Sequence, residues 1–562
     1  MLATLTLVAA LATPQETSSR SSIDAAAASV DVRADAATVR YSLMMRQIDV
    51  AAADYRVDGR ASEGRFSFRP PAGSPEWMQL SVSASVDGRR LPAFLLRNGE
   101  TDVAERPSKT LVYTNAEATA ELEFKPSKAV LRLTLHRSSP TAVSEVRIGE
   151  GSRTDANLLF DPSVRVTPYH EFPVAEPCSI APGLASPPPW VLSYRREGRA
   201  GCWSAALEPE ADRIDFRAFG HVPAEDGRCC WSVRYPRTDP AAGDLILPPL
   251  VFRFGDADYF AALQRHVDDL RAEGKMTVPE RRLPVWHART IACTWRYQRE
   301  EPRREQATEK NCEAYVKMLE DNGIDFGTLI IDDFWGREHG LWEADPAKWT
   351  DLRGFIDRQH AKGRRVLLWI CTDGEGLPAE ERRGSQWNIE SPAYQARLKA
   401  AARRLLSSEP GCYDADGVKF DFTSSMPGDC RGLRFVGCGY LLKRFEMVTD
   451  ALLAVKPEAI LDYQCYNPYF THTLTMLRLN DYFGSAVHGL PEMRLRAKIA
   501  AICAPGALVD TDHIGFRQYS YDGAHDFFRA AHELGVPSLY LGPQDMQDAE
   551  LMKAIRAGAL RR

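Results

Sequence analysis

The amino-acid sequence predicts a multidomain protein in which an N-terminal antiparallel β-sandwich is followed by a (β/α)8 TIM barrel. Two observations carry this prediction. Between about residues 30 and 254, short stretches of alternating polar and apolar side chains are separated by turn sequences such as Asp87-Gly88 and Asn98-Gly99, which is typical of antiparallel sheets. From about residue 284 onwards, short apolar strands alternate with amphipathic helices, which is the pattern of a parallel barrel.

The change in pattern divides the chain into four regions. We predict a signal peptide and linker over residues 1–29, the β-sandwich over residues 30–255, a helical linker over residues 256–283, and the barrel that would carry the active site over residues 284–562. The helix of the linker is expected to end just before Gly274, because glycine is favoured at the position that follows a helix.

Eight strands are expected in the barrel, each followed by a helix. They are residues 290–295, 328–332, 365–371, 418–422, 460–464, 479–483, 507–510 and 538–541. The main alternative is an open doubly wound sheet. No glycine-rich phosphate loop follows the first strand, and this absence favours the barrel.

Composition and charge narrow the function classes. The 562 residues carry a formal net charge of -6, which argues against nucleic acid as a partner. No segment reaches the roughly 18 apolar residues of a membrane-spanning helix, so no membrane partner is expected. The twelve cysteines show no metal-binding spacing, so we expect no metal or cofactor. The sequence does not predict an oligomeric state.

The first twelve residues are apolar and end in Ala10-Leu11-Ala12. This resembles the core and cleavage site of a signal peptide, although no Lys or Arg precedes Arg20 to form the usual positive segment. We expect a secreted or periplasmic protein, with a cytoplasmic one as the alternative.

Polar and aromatic residues recur where the predicted barrel strands end. They are Trp295, Asp332, Asp333, Trp369, Asp373, Lys419, Asp421, Gln464, Cys465, Tyr466, Arg478, Asp481, Asp510 and Asp512. A single Asp in such a position often caps the following helix. Because acidic residues recur at five strand ends, and barrel active sites lie at this face, we interpret them as an active site.

The residue types at these strand ends fit a sugar. Aromatic rings can lie against the apolar face of a pyranose, while carboxylates and Lys form charge-assisted hydrogen bonds with hydroxyl groups. Two further carboxylates could then act as an acid and a nucleophile. The sequence therefore predicts an oligosaccharide or glycoside as the substrate.

At this point the sequence resembles the α-galactosidases and related enzymes of glycoside hydrolase clan D, families 27 and 36. The matching residues are Ile331-Asp332-Asp333-Phe334-Trp335, Gly340-Leu341-Trp342, His360 with Leu368-Trp369, Lys419-Phe420-Asp421, Tyr463-Gln464-Cys465, and Asp510-Thr511-Asp512. The N-terminal β-rich half resembles family 36, whose members carry a large sandwich before the barrel.

The resemblance implies a retaining α-glycoside hydrolase that works by double displacement. Asp421 would be the nucleophile and Asp481 the general acid/base, with Asp510 and Asp512 as alternatives for the second role. The substrate contacts that it implies, together with the strand-end positions, are Trp295, Asp332, Asp333, Trp369, Lys419, Cys465, Arg478 and Asp512. The pKa of Asp481 is expected to be raised, because an acid must be protonated at the start of the reaction.

Two departures from the family pattern leave the sugar open. Tyr466 stands where family 27 has Glu, and Phe334 replaces a small residue. The alternatives are an α-glucosidase, an α-N-acetylgalactosaminidase, or a non-catalytic carbohydrate-binding relative.

Overall fold

A computed structural model describes residues 29–559, except for residues 35–36, 43–46, 53, 72–75, 98–109, 155–156, 161–167, 170–177, 180–186, 196–200, 225, 281–282, 301–305, 482–485 and 515–521. The predicted signal peptide and the predicted turn at Asn98-Gly99 therefore lie outside the described residues.

Short antiparallel strands form the N-terminal half. In chain order they begin with β1 (Ser29–Ala34), β2 (Ala37–Ser42), β3 (Gln47–Ala51), β4 (Arg56–Arg60), β5 (Arg65–Arg69), β6 (Met78–Ser81), β7 (Ala84–Val86), β8 (Arg89–Arg90), β9 (Leu95–Leu96), β10 (Thr110–Thr114) and β11 (Ala118–Phe124). They continue with β12 (Lys128–Thr141), β13 (Glu145–Arg153), β14 (Asn157–Phe160), β15 (Pro168–Tyr169), β16 (Cys178–Ser179), β17 (Val191–Arg195), β18 (Cys202–Leu207), β19 (Ala218–Pro223), β20 (Arg228–Arg234), β21 (Ala241–Ile246) and β22 (Leu250–Asp256).

Two large sheets contain most of these strands. The first has the order β1-β2-β3-β4-β5-β6-β13-β20-β19, and the second has the order β14-β17-β18-β22-β12-β11-β10-β9. Rings from the two sheets pack against each other: the centroids of Phe66 and Phe124 lie 5.9 Å apart, and those of Trp203 and Trp231 lie 6.4 Å apart. The alternating pattern of the sequence therefore corresponds to the alternation between the inner and outer faces of a sandwich.

A single helix, α1 (Tyr259–Ala272), follows the second sheet, and the side chain of Asp258 caps its first turn by accepting a hydrogen bond from the Ala261 N–H. Asp269 on this helix forms ion pairs with Arg253 and Lys128 of the sheet. Because Arg253 is fully buried, these carboxylate contacts replace the water that it loses. The predicted linker helix is thus packed on the sandwich.

The C-terminal half is a parallel barrel. Its eight strands are β23 (Ile291–Cys293), β24 (Thr328–Ile331), β25 (Arg365–Cys371), β28 (Gly417–Asp421), β29 (Ile460–Tyr463), β30 (Met476–Arg478), β31 (Leu508–Asp510) and β32 (Ser538–Leu539), and a small hairpin of β26 (Arg382–Arg383) and β27 (Gln386–Trp387) lies between the third and fourth. The strand order is β31-β30-β29-β28-β25-β24-β23-β32, and a parallel bridge between Asp510 and Val536 joins the two ends. The sheet is therefore nearly closed.

The helices of this half are α2 (Trp295–Arg299), α3 (Glu309–Asp321), α4 (Leu352–Ala361), α5 (Pro392–Leu406), α6 (Gly437–Leu453), α7 (Ala486–Cys503), α8 (Asp522–Leu534) and α9 (Ala549–Ala559). An apolar cluster that includes Ile291, Ile330, Leu367, Ile460 and Met476 fills the lower barrel interior, as expected for a packed barrel. Polar side chains follow these residues towards the carboxyl ends of the strands.

Two predicted strands are placed differently. The sixth covers residues 476–478 rather than 479–483, so Arg478 ends the strand and Asp481 lies three residues beyond it. Asn480, with a φ of 70°, has a left-handed conformation that cannot continue a strand. The first strand ends at Cys293, and Trp295 begins the short helix α2.

The sandwich and the barrel contact each other directly. The hydroxyl of Tyr469 donates to the Pro209 carbonyl at 2.8 Å, and the rings of Trp190 and Tyr469 lie 5.1 Å apart. The N–H of Cys438, at the start of α6, donates to the Phe216 carbonyl at 2.8 Å. These contacts attach the sandwich to the barrel beside the fourth and fifth strands.

Among the described residues, none of the helices has the length and apolar character needed to cross a membrane. Eleven of the twelve cysteines have described side chains, and all eleven are buried and free.

Candidate active site

A buried ion pair forms the deepest polar part of the site. Lys419 Nζ on β28 donates to Asp332 Oδ2 at 2.6 Å and to the Tyr540 hydroxyl at 3.2 Å. The Cys293 thiol also donates to Asp332 Oδ2, at 3.0 Å. Burial alone would lower the pKa of Lys419, but the charge of Asp332 raises it above its ordinary value. The pair therefore places fixed charges at the bottom of the site.

Above this pair, one guanidinium binds three carboxylates. Arg478 Nη2 donates to Asp421 Oδ1 at 2.8 Å, while Nη1 donates to Asp512 Oδ2 at 2.7 Å and to Asp481 Oδ1 at 3.2 Å. Arg478 is fully buried, whereas the side chains of Asp421 and Asp481 are 18% and 30% exposed. Arg478 thus fixes two solvent-accessible carboxylates from below.

Asp421 has two further donors. The indole Nε1 of Trp369 donates to Oδ2 at 3.2 Å, and the N–H of Phe422 donates to Oδ1 at 2.9 Å. Because Lys419 and Asp421 are two residues apart on one strand, both side chains point into the barrel. Asp421 therefore has a fixed orientation with its carboxylate at the open end of the barrel.

The carboxylates around Arg478 have different affinities for protons. Partial burial would raise the pKa of Asp481, but His513, with Nε2 3.3 Å from Oδ1, and Arg478 together lower it well below its ordinary range. Burial raises the pKa of Asp512 despite the charge of Arg478. Among the three carboxylates bound to Arg478, the raised pKa therefore belongs to Asp512 and not, as predicted, to Asp481.

Two more acids lie beneath the cluster. Asp462 on β29 and Asp510 on β31 are fully buried. Burial raises the pKa of Asp510 to about 6, with the neighbouring charge of Asp512 as the second cause. Burial, and then the charge of Asp510, raises the pKa of Asp462 well above its ordinary value. A buried carboxyl without a cationic partner is more stable in its protonated form.

An arc of five aromatic rings borders the other side of the site. Successive ring centroids lie 6.2, 6.4, 5.3 and 6.0 Å apart. In order, the rings are Trp295, Phe334, His339, Trp369 and Phe422. The arc therefore runs from the first to the fourth barrel strand, opposite the charged residues that follow the sixth and seventh strands.

A cavity of about 470 Å³ lies beside the arc, and its lining includes Asp333, Phe334, His339 and Trp369. The cavity adjoins the carboxylate cluster at Trp369, whose indole donates a hydrogen bond to Asp421. His339 Nε2 lies 2.8 Å from Asp333 Oδ1, and this contact, more than the opposing effect of burial, raises the pKa of His339.

Nine of the ten predicted site residues lie in this region. Asp332 and Lys419 form the deep pair, Asp421, Asp481, Asp512 and Arg478 form the charged cluster, and Trp295, Trp369 and Asp333 line the arc or the cavity. Cys465 lies apart from them: it is buried in the core cluster that includes the outer helices, near Cys438 and Cys503. Its predicted contact with substrate has no counterpart in this group.

Several further residues of the site were not among the predicted ones. Tyr540, Asp462, His339 and Phe422 contact or adjoin the predicted ones, and so does His513, which the sequence analysis did not select. The sequence contained a signal only for His513 and Phe422, because each directly follows a selected Asp.

Three groups of described side chains bring possible metal-ligand atoms within 4.8 Å of one another. They are His339 with Cys371 and Asp373, Asp357 with His360 and Asp414, and Asp481 with Asp512 and His513. In the last group the Asp512 carboxylate already has a cationic partner in Arg478. The absence of a metal stays a prediction from the sequence.

Comparisons with known proteins support the fold. No protein-family model matches the chain, and none of the curated proteins does. Among solved structures, the chain is similar to the galactosidase domain of the α-galactosidase–sucrose kinase AgaSK. The match covers 92% of this chain and 85% of that domain, with 11% sequence identity and a TM-score of 0.51. The chain is also similar to a mutant of the protein Kfla1895 in complex with cyclobis-(1→6)-α-nigerosyl; that match covers 91% of this chain and 73% of the other, with 14% identity and a TM-score of 0.50.

The chain shares the fold of these two proteins. At such low identity the likeness extends to the fold alone. The chain also spans 53% of the length of the cycloalternan-forming enzyme from Listeria monocytogenes, at 10% identity and a TM-score of 0.46.

Proposed function

We propose that the protein is a retaining α-glycoside hydrolase that releases terminal α-linked sugars, with α-galactosides as the first substrates to test. The observation that carries this proposal is the shared guanidinium of Arg478, which binds Asp421 and Asp481 through its two terminal nitrogens. Since that group is planar and rigid, the two bound oxygens lie less than roughly 9 Å apart, which permits the spacing of a glycosidase carboxylate pair.

Asp421 is the proposed nucleophile. Its oxygens accept hydrogen bonds from Arg478, Trp369 and the Phe422 N–H, and these bonds hold the carboxylate in position to attack the anomeric carbon. The attack forms a glycosyl ester at Asp421 while the bond to the leaving oxygen breaks. Water then hydrolyses this ester, and the two inversions together retain the configuration.

Asp481 is the proposed acid/base because it is the more exposed of the other two carboxylates on Arg478. Asp512 is fully buried and lies too deep to be the first choice for a leaving group. In the proposed reaction Asp481 delivers a proton to the leaving oxygen, and His513 Nε2, 3.3 Å from Asp481 Oδ1, holds this carboxyl in place. That proton leaves with the released alcohol, and Asp481, now a carboxylate, takes a new proton from the water that attacks the ester.

The deep ion pair and the aromatic arc fit the proposed sugar site. Asp332, Asp333 and Lys419 offer acceptors and a donor for hydroxyl groups, and Trp295 and Trp369 offer apolar faces. Galactose is the sugar of the structural neighbour AgaSK by its name, and it is proposed here with α-glucosides and α-N-acetylgalactosaminides as alternatives.

A screen of aryl α-glycosides tests the proposal, with wild type, Asp421→Ala and Asp357→Ala as a control for Asp replacement. Asp357 is half-exposed on α4 and pairs with Arg353, away from the site. We expect Asp421→Ala to lose at least about a thousandfold in kcat, and the first product seen by NMR to be the α-anomer. Unchanged activity in Asp421→Ala contradicts the nucleophile, and a first-formed β-anomer contradicts retention.

Rescue with azide separates the two carboxylates. Azide added to Asp421→Ala should give a β-glycosyl azide, because a single displacement inverts the configuration. Azide added to Asp481→Ala should give an α-glycosyl azide, because the ester at Asp421 still forms. Absence of turnover of every α-glycoside by folded wild type would favour a carbohydrate-binding protein without catalysis.

A further inference from the structure

Phe422 is an exposed aromatic residue that follows the buried fourth barrel strand. It directly follows Asp421 and is 49% exposed, whereas Phe420, two residues earlier, is fully buried. Phe422 is one of four large hydrophobic residues of the described chain with high exposure. An exposed phenyl ring next to a reactive carboxylate is a contact surface for a ligand rather than part of the core.

The backbone holds this ring in a costly conformation. The φ of Phe422 is 51°, a left-handed value that bulky residues adopt rarely. Its N–H donates to Asp421 Oδ1 at 2.9 Å, and its carbonyl accepts from Thr372 Oγ1 at 2.9 Å. Glycine or asparagine would adopt this conformation more easily. The turn itself therefore does not explain why residue 422 is a phenylalanine.

The same arrangement occurs at the second strand end. Phe334 follows Asp333, has a φ of 67°, and donates its N–H to Asp333 Oδ1 at 2.6 Å. The ring of Phe334 stacks on Trp295 with an interplanar angle of 13°. Two left-handed turns thus place two phenyl rings in the aromatic arc, Phe422 at one end and Phe334 next to Trp295 at the other. By contrast, the left-handed turn at the sixth strand has Asn480.

Exposure increases along the fourth strand towards the solvent. Lys419 is 3% exposed, the side chain of Asp421 is 18% exposed, and Phe422 is 49% exposed. A sugar that reaches Lys419 and Asp332 with its hydroxyl groups has its reacting carbon near Asp421. The group attached to that carbon then lies further out, at the level of Phe422.

We propose that Phe422, supported by the edge of Trp369, forms a binding subsite for the leaving-group ring of the substrate. The two rings meet at 86° with centroids 6.0 Å apart, so Trp369 fixes the orientation of Phe422. The ligand is a second pyranose whose apolar face lies on the phenyl ring. This inference rests on the proposed hydrolase function, and it assigns disaccharides or longer oligosaccharides as the natural substrate class.

The test compares two substrates that share one sugar, the α-glycosyl fluoride and an α-linked disaccharide. Fluoride is too small to reach Phe422, whereas the second sugar of the disaccharide would lie on it. In Phe422→Ala, we expect kcat/KM for the disaccharide to fall roughly tenfold more than kcat/KM for the fluoride, the effect of one lost aromatic contact. Phe422→Trp should restore most of the difference, because it keeps a flat ring.

The outcomes separate this subsite from the hydrolase function. An equal fall for both substrates overturns the subsite, since Phe422 would then act only through Asp421. A change from dimer to monomer in Phe422→Ala, without a difference between substrates, overturns it in favour of an interface between copies of the chain. If folded wild type hydrolyses neither substrate, the hydrolase function fails and this inference fails with it.

Discussion

Arg478 at the end of the sixth barrel strand donates a hydrogen bond of 2.8 Å to Asp421 at the end of the fourth, across 57 positions of the sequence. The fifth strand lies between them in the sheet, so the bond spans the barrel mouth. It joins a fully buried cation to a carboxylate that is open to solvent. This bond orients Asp421, and the predictions about the reaction centre depend on it.

Replacing Arg478 should affect both stability and catalysis. Arg478→Met leaves Asp421, Asp481 and Asp512 without their common partner, and we expect a loss of about 3–5 kcal/mol in the free energy of unfolding. Arg478→Lys keeps the charge but not the planar fork. Its kcat/KM should fall by about a hundredfold through misplacement of Asp421. Urea unfolding and steady-state kinetics measure the two effects. Full activity in Arg478→Lys would show that the fork is not needed.

The pair of Lys419 and Asp332 should behave as a coupled unit. Lys419→Met alone leaves a buried carboxylate unpaired and should cost about 3–5 kcal/mol, whereas Lys419→Met combined with Asp332→Asn should cost less. Urea unfolding of the two single variants and the double variant gives the coupling free energy. Simple addition of the two single effects would mean that the 2.6 Å contact contributes nothing of its own.

Asp510 should make stability depend on pH. Its pKa is raised to about 6 in the folded protein, above the value of about 4 in an unfolded chain. Between these values the folded state binds more protons, so its stability falls as the pH rises from about 4 to about 6. Asp510→Asn removes this loss. Relative to wild type, the variant should gain on the order of 3 kcal/mol over that pH interval.

Melting temperatures of wild type and Asp510→Asn at several pH values between 4 and 7 measure this difference. Asp462→Asn is measured at the same pH values for comparison, because burial also raises the pKa of Asp462. A constant difference between wild type and Asp510→Asn across the interval would contradict the raised pKa.

The loss of kcat/KM on replacing Asp481 should depend on the leaving group of the substrate. Asp481→Asn should lose about 10²–10⁴-fold in kcat/KM for alkyl glycosides, which need a proton on the leaving oxygen. The loss should be much smaller for glycosyl fluorides or dinitrophenyl glycosides, whose leaving groups need little protonation. Kinetics on a series of leaving groups measures this. The same pattern in Asp512→Asn but not in Asp481→Asn would assign the acid to Asp512, which has the raised pKa.

Most of the barrel could be predicted from the sequence. The strand at residues 365–371 has the predicted bounds, and six others differ by one to three residues at their ends. The sixth strand was displaced because Met476, Leu477 and Arg478 give a short and partly charged signal. Its place is fixed by pairing with both neighbouring strands, Met476 with Asp462 on one side and Arg478 with Asp510 on the other.

The candidate site was predicted less evenly. The Asp residues at the strand ends were found because charge in a buried strand is unusual. Trp295 and Trp369 were also found, but their place in an arc of five rings and the positions of Tyr540 and Asp462 were not, since these residues are distant in sequence and no local pattern connects them. Cys465 was selected by motif position, but its side chain faces the core that contains Cys438 and Cys503.

The sequence by itself determined the order of strands and helices and the recurrence of Asp at the strand ends, because hydrophobic periodicity and turn residues act over a few positions. The tertiary structure decided which carboxylates share Arg478 and which one has the raised pKa. It also decided that Phe422 lies at the mouth of the site. The physical reason is that a pKa and an ion pair depend on burial and on charges a few ångströms away in space. Residues that are distant in sequence reach those distances only when the strands pair in the folded barrel.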